Sequence, residues 1–298
     1  MPKKDKGELK MAKKKSGSIA VPFLITIFVG LIIIGGMAFG IYRYFGFGKQ
    51  DAPPEPTPRI SQSVTSEDSH TILLVLDVPE QKCAQTFVLM RSNPAKKQLL
   101  FVGIPTNTIA IVEGTQQSMQ GSYDRGGAST AAKFVEQAFG LTVDRYMKFD
   151  SASFRKICDI FGGVTCSVNA DIAGFNNDGS QQYLKSEQIE TYVTYSLFKD
   201  GETERAFTAA TLLSSMVNQA DGKRIADSFD TNFNLIINMV ESNITSVDYK
   251  KRKNAVKYMF ENGTSIAVTL SLDGTPSGND FIPSDNFIST IKKEYFSE

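Results

Sequence analysis

Residues 101–110 read FVGIPTNTIA. An apolar stretch from Leu99 to Val102 runs through Gly103 into Ile104-Pro105, and proline has no N–H with which to continue a sheet ladder. Thr106, Asn107 and Thr108 follow at once, small, polar and uncharged. A strand end that opens abruptly into polar side chains is a usual place for a binding or catalytic loop in an α/β protein. The hydroxyl and amide groups of Asn107 and Thr108 can hydrogen-bond a sugar or a phosphate, or can satisfy the loop's own backbone. Asp77 ends a second apolar run, TILLVLD; it can ligate a metal if other oxygen donors converge on it, and otherwise caps a turn. Gly126-Gly127, preceded by Arg125, can cradle a phosphate or simply turn a loop. The single histidine, His70, borders a polar stretch and reads as a bystander, which argues against a Ser-His-Asp or Cys-His engine. Cys83, Cys158 and Cys166 have no metal-ligand spacing; the last two either bridge a helix to the next strand or serve as small apolar core residues.

The 298 residues allow one large domain or two small ones, and the overall charge of zero is unevenly spread. Residues 1–15 hold seven lysines against Asp5 and Glu8, so the remainder carries −5. That acidic body argues against a nucleic-acid partner, which needs a basic face. Residues 16–42, SGSIAVPFLITIFVGLIIIGGMAFGIY, contain no charge and exceed the ~20 apolar residues that span a bilayer as a helix. The run is longer than the ~7–15-residue core of a cleaved signal, so it reads as a permanent single-pass signal anchor. The lysines before it place the N-terminus in the cytoplasm and the rest outside the cell membrane. The expected layout is a basic cytoplasmic tail (1–15), a transmembrane anchor (16–42), an extracytoplasmic spacer rich in Pro, Ser, Asp and Glu (43–70) and a folded domain (71–298).

Within that domain, TILLVLDV is a near-continuous apolar run, as expected of a strand covered on both faces. Residues 85–92 and 98–104 flank the turn NPAKK and read as a hairpin. GGASTAAKFVEQAFGL has apolar residues at helical spacing and a terminal glycine. Residues 146–149 read as a strand, and SASFRKICDIFGG as a helix capped by Ser151 and stopped by Gly162. A strand at 164–169, helices near 186–196, 203–219 and 231–243, a strand at 265–272 and a terminal helix at 284–296 complete the pattern. The mixture predicts an α/β fold, a mixed central sheet with helices on both sides.

The stretch YMKFDSASFRKICDIFGGVTCSVN resembles the LytR-CpsA-Psr family, in which a strand, an amphipathic helix, Gly-Gly-Val and a further strand follow one another. TILLVLD is similar to the family's first strand, and QTFVLMRSNPAKKQLLFVGIPTNT to its hairpin and Ile-Pro-Arg-Asp-Thr loop. SMQGSYDRGG, SEQIETYV, ETERAFTAATLL, FDTNFNLIINMV and FIPSDNFISTI resemble later elements in the same order, so the likeness spans residues 71–298. It implies a membrane-anchored cell-envelope protein, as in Gram-positive bacteria. Such proteins move glycopolymers from a polyprenyl-pyrophosphate carrier onto peptidoglycan, with Mg²⁺ or Mn²⁺ and arginines on the diphosphate and an apolar groove for the tail. By the same resemblance Asp77 falls at the metal position, Arg205 at a family arginine, and Thr106, Asn107, Thr108, Gln120, Gly126 and Gly127 beside the substrate. Arg125 is a substitute cation off the family's position.

Where that pattern supplies arginine, this chain reads Pro79, Cys83, Thr106, Thr194 and Ser196, and where it supplies aspartate nearby, Gln85 and Asn107. Guanidinium groups suit a diphosphate because their planar forks bind two oxygens and never lose charge, and charge stabilisation is most of what a protein can contribute to phosphoryl transfer. Two functions stay open: a glycopolymer transferase, and a divergent pseudoenzyme that keeps the lipid or glycan groove or partners an active relative.

Overall fold

The computed structural model describes residues 64–81 and 84–296, so the basic tail, the expected anchor, Cys83 and most of the spacer lie outside the described residues. Among the described residues no helix is long and apolar enough to cross a membrane. Six strands form the central sheet: β1 (His70–Leu76), β2 (Thr86–Asn93), β3 (Gln98–Ile104), β6 (Arg145–Phe149), β9 (Glu241–Ser242) and β10 (Ala267–Leu270), in the order β10-β3-β2-β1-β6-β9. β1 pairs antiparallel with β2 and parallel with β6, while β3 pairs antiparallel with β2 and parallel with β10, so the sheet is mixed, as expected.

Side chains alternate across a strand, and the unbroken apolar run of β1 therefore feeds two cores. Leu73 and Val75 pack with Leu89, Val102 and α1 (Met119–Phe139) on one side. Leu76, Val88 and Phe101 pack on the other, against α2 (Ser151–Phe161), α3 (Ser186–Thr194), α4 (Gly201–Gln219), α5 (Gly222–Asp227), α6 (Phe229–Ile237) and α7 (Ser246–Asn262). A last helix, α8 (Asp285–Ile291), closes the α1 side. Every residue of both cores lies within residues 64–296, and the chain from Gln62 onward is one compact unit, so this stretch has what it needs to fold alone.

Several boundaries differ from the sequence expectation. β1 begins at His70, one residue early, which makes the histidine part of the sheet rather than a bystander in the spacer. The helix expected from Gly126 does follow the Gly126-Gly127 kink, but a further helical segment precedes it from Met119, where the Ser118 hydroxyl accepts from Gly121 N at 3.0 Å. α2 is capped by Asp150, whose carboxylate accepts from Ser153 N at 2.8 Å, and not by Ser151. Three hairpin strands pairs escaped pattern reading: β4–β5 (Ile109–Val112, Thr115–Ser118), β7–β8 (Val164–Ser167, Gln181–Leu184) and β11–β12 (Gly274–Ser277, Asp280–Pro283). Apart from 164–169, whose strand was expected, their segments are only four residues each. α7 was also missed, because lysines dominate its sequence. Cys158 and Cys166 are free thiols, the first buried and the second half-buried, which rules for core packing over a bridge.

Gly103 fixes how α4 meets the sheet. A Cβ there would stand 1.9 Å from the Ala206 carbonyl oxygen and 2.3 Å from its carbon, so only glycine admits the helix backbone this close to β3. Backbone cannot swing aside as a side chain can. Gly103→Ala is expected to destabilise the domain by about 2–3 kcal/mol, read as a fall in the urea midpoint of residues 62–298; an unchanged midpoint would contradict this packing.

Candidate functional site

Asp77 follows directly on β1, and its N–H donates to Phe149 O at 2.9 Å, so it sits where the parallel strands β1 and β6 both end. Ligand sites in parallel α/β sheets gather at such carboxyl ends. Asp77 Oδ1 accepts from Gln85 Nε2 at 2.9 Å, and Oδ2 accepts from the Tyr123 hydroxyl at 2.6 Å. Lys148 Nζ stands 3.7 Å from Oδ2 and 3.2 Å from Glu241 Oε2. Gln120 Nε2 donates to Gln85 Oε1 at 2.5 Å and to Asp124 at 2.7 Å, while its backbone N–H holds Thr106 O at 2.9 Å. Burial first, and then the bond to Asp77, pushes the Tyr123 phenol well above its ordinary pKa, so it remains a donor at any physiological pH.

A second knot adjoins the first. Arg205, from the first turn of α4, is buried to 3% exposure. Its Nε and Nη2 grip Glu202 at 3.0 and 2.6 Å, Nη1 donates to Thr86 Oγ1 at 2.8 Å, and Nη2 also reaches Gln85 O at 2.9 Å. Glu202 Oε2 in turn accepts from Thr106 Oγ1 at 2.6 Å. Burial of the Glu202 carboxyl opposes its ionisation, but Arg205 and Thr106 outweigh that and hold its pKa below the usual carboxylate range. The guanidinium fork, which would suit a diphosphate, is occupied inside the protein on all its edges.

The structure thus brings Asp77, Thr106, Gln120 and Arg205 into one network, and it separates the other expected residues from them. Asn107 turns away: its side-chain Nδ2 donates to Asn279 O at 2.7 Å, its backbone O accepts from Phe281 N at 3.0 Å, and its Oδ1 is buried without a partner. The Thr108 hydroxyl is buried without a partner, while its backbone O accepts from Met119 N at 2.8 Å. Both residues therefore anchor the β11–β12 hairpin and the start of α1. The exposed Arg125 donates to Gln117 and Ser122, out toward the β4–β5 hairpin. Gly126 and Gly127 break α1; Gly127 has φ 65° and ψ −157°, open only to glycine, which makes them a helix kink. Of the positions where arginine was missing, Pro79 and Ser196 are exposed, and the Thr194 hydroxyl bonds back to Glu190 O at 2.7 Å in its own helix. The residues that sequence reading missed are Lys148 and Tyr123. Lys148 could have been found from its place at the end of a parallel strand next to β1.

A divalent ion needs several hard oxygen donors. Here one carboxylate is already taken by an amide, a phenol and an ammonium, and among the described residues no three His, Cys, Asp or Glu side chains converge. This donor set does not fit Mg²⁺ or Mn²⁺. Asp77, Asp124, Glu202 and Glu241 also outnumber the cations Lys148 and Arg205. An added diphosphate would meet a surplus of negative charge.

Beside this polar end lies a cavity of about 310 Å³ between the sheet and the helical layer, whose wall surface is almost wholly apolar although His70, Asp144, Arg145, Asp248 and Arg252 also border it. Its wall includes Leu76 and Thr86 at the Asp77 end and Ile72 and His70 at the other, so it follows β1 for most of its length, ~20 Å. Leu74, Met90, Met147 and Ile157 line it and are only half-buried, although each lies between layers. Burial on that route holds the His70 pKa below its ordinary value.

Fold and site define a mixed-sheet domain with an apolar cavity along β1, one end of which, at Leu76 and Thr86, lies next to a polar cluster at the strand ends. The chain belongs to the LytR_cpsA_psr family, whose model matches residues 49–285. It is 24% identical over 282 residues to the polyisoprenyl-teichoic acid–peptidoglycan teichoic acid transferase TagU of Bacillus subtilis (strain 168), covering 86% of this chain and 90% of that one. Among solved structures, it is similar to a protein from Eubacterium siraeum DSM 15702, with TM-score 0.67, 22% identity, and 78% and 92% of the two chains covered. It is also similar to TagT bound to LI-WTA, with TM-score 0.59, 18% identity and coverage of 76% and 89%.

Truncating one partner of a buried ion pair leaves the other charge stranded and costs ~3–5 kcal/mol. Arg205→Ala is expected to fall in that range by chemical denaturation. Because the Glu202 pKa is depressed on folding, the stability it gives is present above its ordinary value of 4.5 and is lost as pH falls through the folded value. Glu202→Gln should therefore flatten the stability profile below about pH 4.5; an unaltered acid limb would show that the pair does not hold the site together.

Proposed function

We propose that this chain serves cell-wall glycopolymer assembly by holding a polyisoprenyl-linked carrier through its tail, and that it does not itself transfer the polymer. The family membership and the relatives named as teichoic acid transferases support the biological process. The single observation behind the refinement is the combination of a long apolar cavity with a polar end whose one retained family arginine is consumed by Glu202, Thr86 and Gln85. Removing one donor of developing charge commonly costs 10²–10³ in rate, and here several are replaced by uncharged residues while the survivor is locked. The tail would lie along β1 among Leu74, Met90, Met147 and Ile157, and the head beside Asp77, Lys148, Gln85 and Gln120. Amides, a phenol and a lysine can hydrogen-bond a sugar or a hydroxyl without needing a net positive field.

In this reading residues 16–42 anchor the chain and the domain faces outward, so carrier and protein meet at the same membrane. The step onto peptidoglycan falls to an active relative. A second reading, an active transferase, is favoured by the TagU likeness extending over 90% of that protein.

Residues 62–298 are expected to release no phosphate from geranylgeranyl pyrophosphate with added Mg²⁺ or Mn²⁺, yet to bind the lipid. Ile157→Trp, which fills the cavity, should weaken binding by about tenfold or more (~1.4 kcal/mol). Steady phosphate release would establish the transferase reading. Binding that ignores Ile157→Trp would remove the cavity from the account.

A further inference from the structure

Helix α7 carries Lys250, Lys251, Arg252, Lys253 and Lys257 against Asp248 and Glu261. Its two sides use these charges differently. On the inner side Arg252 pairs with Asp248 at 3.5 Å, Lys253 and Lys257 pair with Asp230 at 3.1 and 3.4 Å, and Tyr249 stacks on Phe233 with ring centres 4.1 Å apart. Tyr249, Arg252, Val256 and Met259 from this side line the apolar cavity. The outer side is a stripe at helical spacing: Val247, Lys250, Lys251, Asn254 and Tyr258 are all exposed. Val247 is 70% exposed and Tyr258 39%. Lys97 adds a third cation, its ammonium 5.6 Å from the Tyr258 ring centre. Among the described residues neither Lys250 nor Lys251 forms an ion pair.

This basic stripe stands out against an acidic domain. Over residues 16–61, Arg43, Lys49 and Arg59 exceed Asp51 and Glu55 by one charge; with +5 on residues 1–15 and zero overall, residues 62–298 carry −6. Bulk charge therefore repels an anionic surface, and any attraction must be local. The place where the chain enters the domain points the same way. The turn Ser66–Asp68 lies against α7 just before β1 begins, and upstream of it is the uncharged run 16–42. Residues 43–63 could reach ~70 Å fully extended, so this linker does not keep the face away from a bilayer.

We propose that the outer face of α7 docks on an anionic lipid surface, with Lys250, Lys251 and Lys97 at headgroup level and Val247 and Tyr258 as apolar and interfacial contacts. Lysines near such a surface each raise partitioning about fivefold, and the attraction fades within ~10 Å at 0.1 M salt. Docked this way, the helix that walls the cavity lies on the membrane from which a lipid would enter. The docking stands whether or not the cavity holds a glycopolymer carrier.

The test uses residues 62–298 with phosphatidylcholine vesicles, with and without ~30 mol% phosphatidylglycerol. Binding should appear only on the anionic vesicles and fall about 10- to 30-fold in Lys250→Gln/Lys251→Gln. The chain has no tryptophan, so the emission of Val247→Trp reports on this face alone and should shift to the blue on anionic vesicles. Equal partitioning to neutral and anionic vesicles, binding undiminished in the double variant, or an unmoved emission would each overturn the proposal. Capture by soluble polyphosphate through the same lysines, with no vesicle binding, would also overturn it and assign the face to an anionic polymer.

Discussion

The contact between Arg205 and Glu202 organises this site. Gly103 lets the backbone of α4 approach β3 closely enough that the first turn of the helix drops into the sheet's end. There Arg205 spans Glu202, Thr86 and the carbonyl of Gln85, and Glu202 collects Thr106 from the strand-end loop. One buried pair thus joins the helix, the start of β2 and the loop after β3. Such a pair costs desolvation and is stable only when its remaining hydrogen-bonding positions are filled. Here they are filled by the protein, and the same bonds remove the guanidinium from any anionic ligand.

That arrangement sets the balance between the two ends of the cavity. Toward the strand ends Asp77 pairs with Gln85, Tyr123 and Lys148, and Gln85 with Gln120, while Asn107 Oδ1, Thr108 Oγ1 and Gln120 Oε1 stay buried without a partner. Along β1 the apolar lining packs against the core on one side, and half-buried Leu74, Met90 and Met147 remain open to the cavity on the other. Apolar surface left exposed between packed layers is costly unless something covers it. In the proposed reading, the tail and not the head supplies most of the contact.

Much of this was legible in the sequence. The unbroken run of β1, the hairpin after it and the mixed order of elements gave both the sheet and the helices on its two sides. Asp77, Gln120, Thr106 and Arg205, each named from the sequence, lie in one network in the structure. What periodicity could not tell was the direction of a polar side chain. Asn107 and Thr108 are as polar as Thr106, yet they serve the β11–β12 hairpin, whose short strands carry no pattern. In the sequence, Arg205 with Glu202 and Glu204 nearby reads more readily as a solvated helix face than as a phosphate contact, and the buried pairing depends on Gly103, a hundred residues away. α7 was hidden because its lysines mask a helical stripe, and Lys148 because a lysine in a strand reads as surface.

The most direct measurement compares two ligands with one tail: geranylgeraniol and geranylgeranyl pyrophosphate, titrated into residues 62–298 without metal. The account predicts dissociation constants within about threefold of one another (~0.7 kcal/mol), since the tail supplies the affinity and the head finds no free guanidinium. A pyrophosphate bound a hundredfold or more tightly than the alcohol (~2.7 kcal/mol) would contradict it, because Arg205 would then have to leave Glu202 for the ligand.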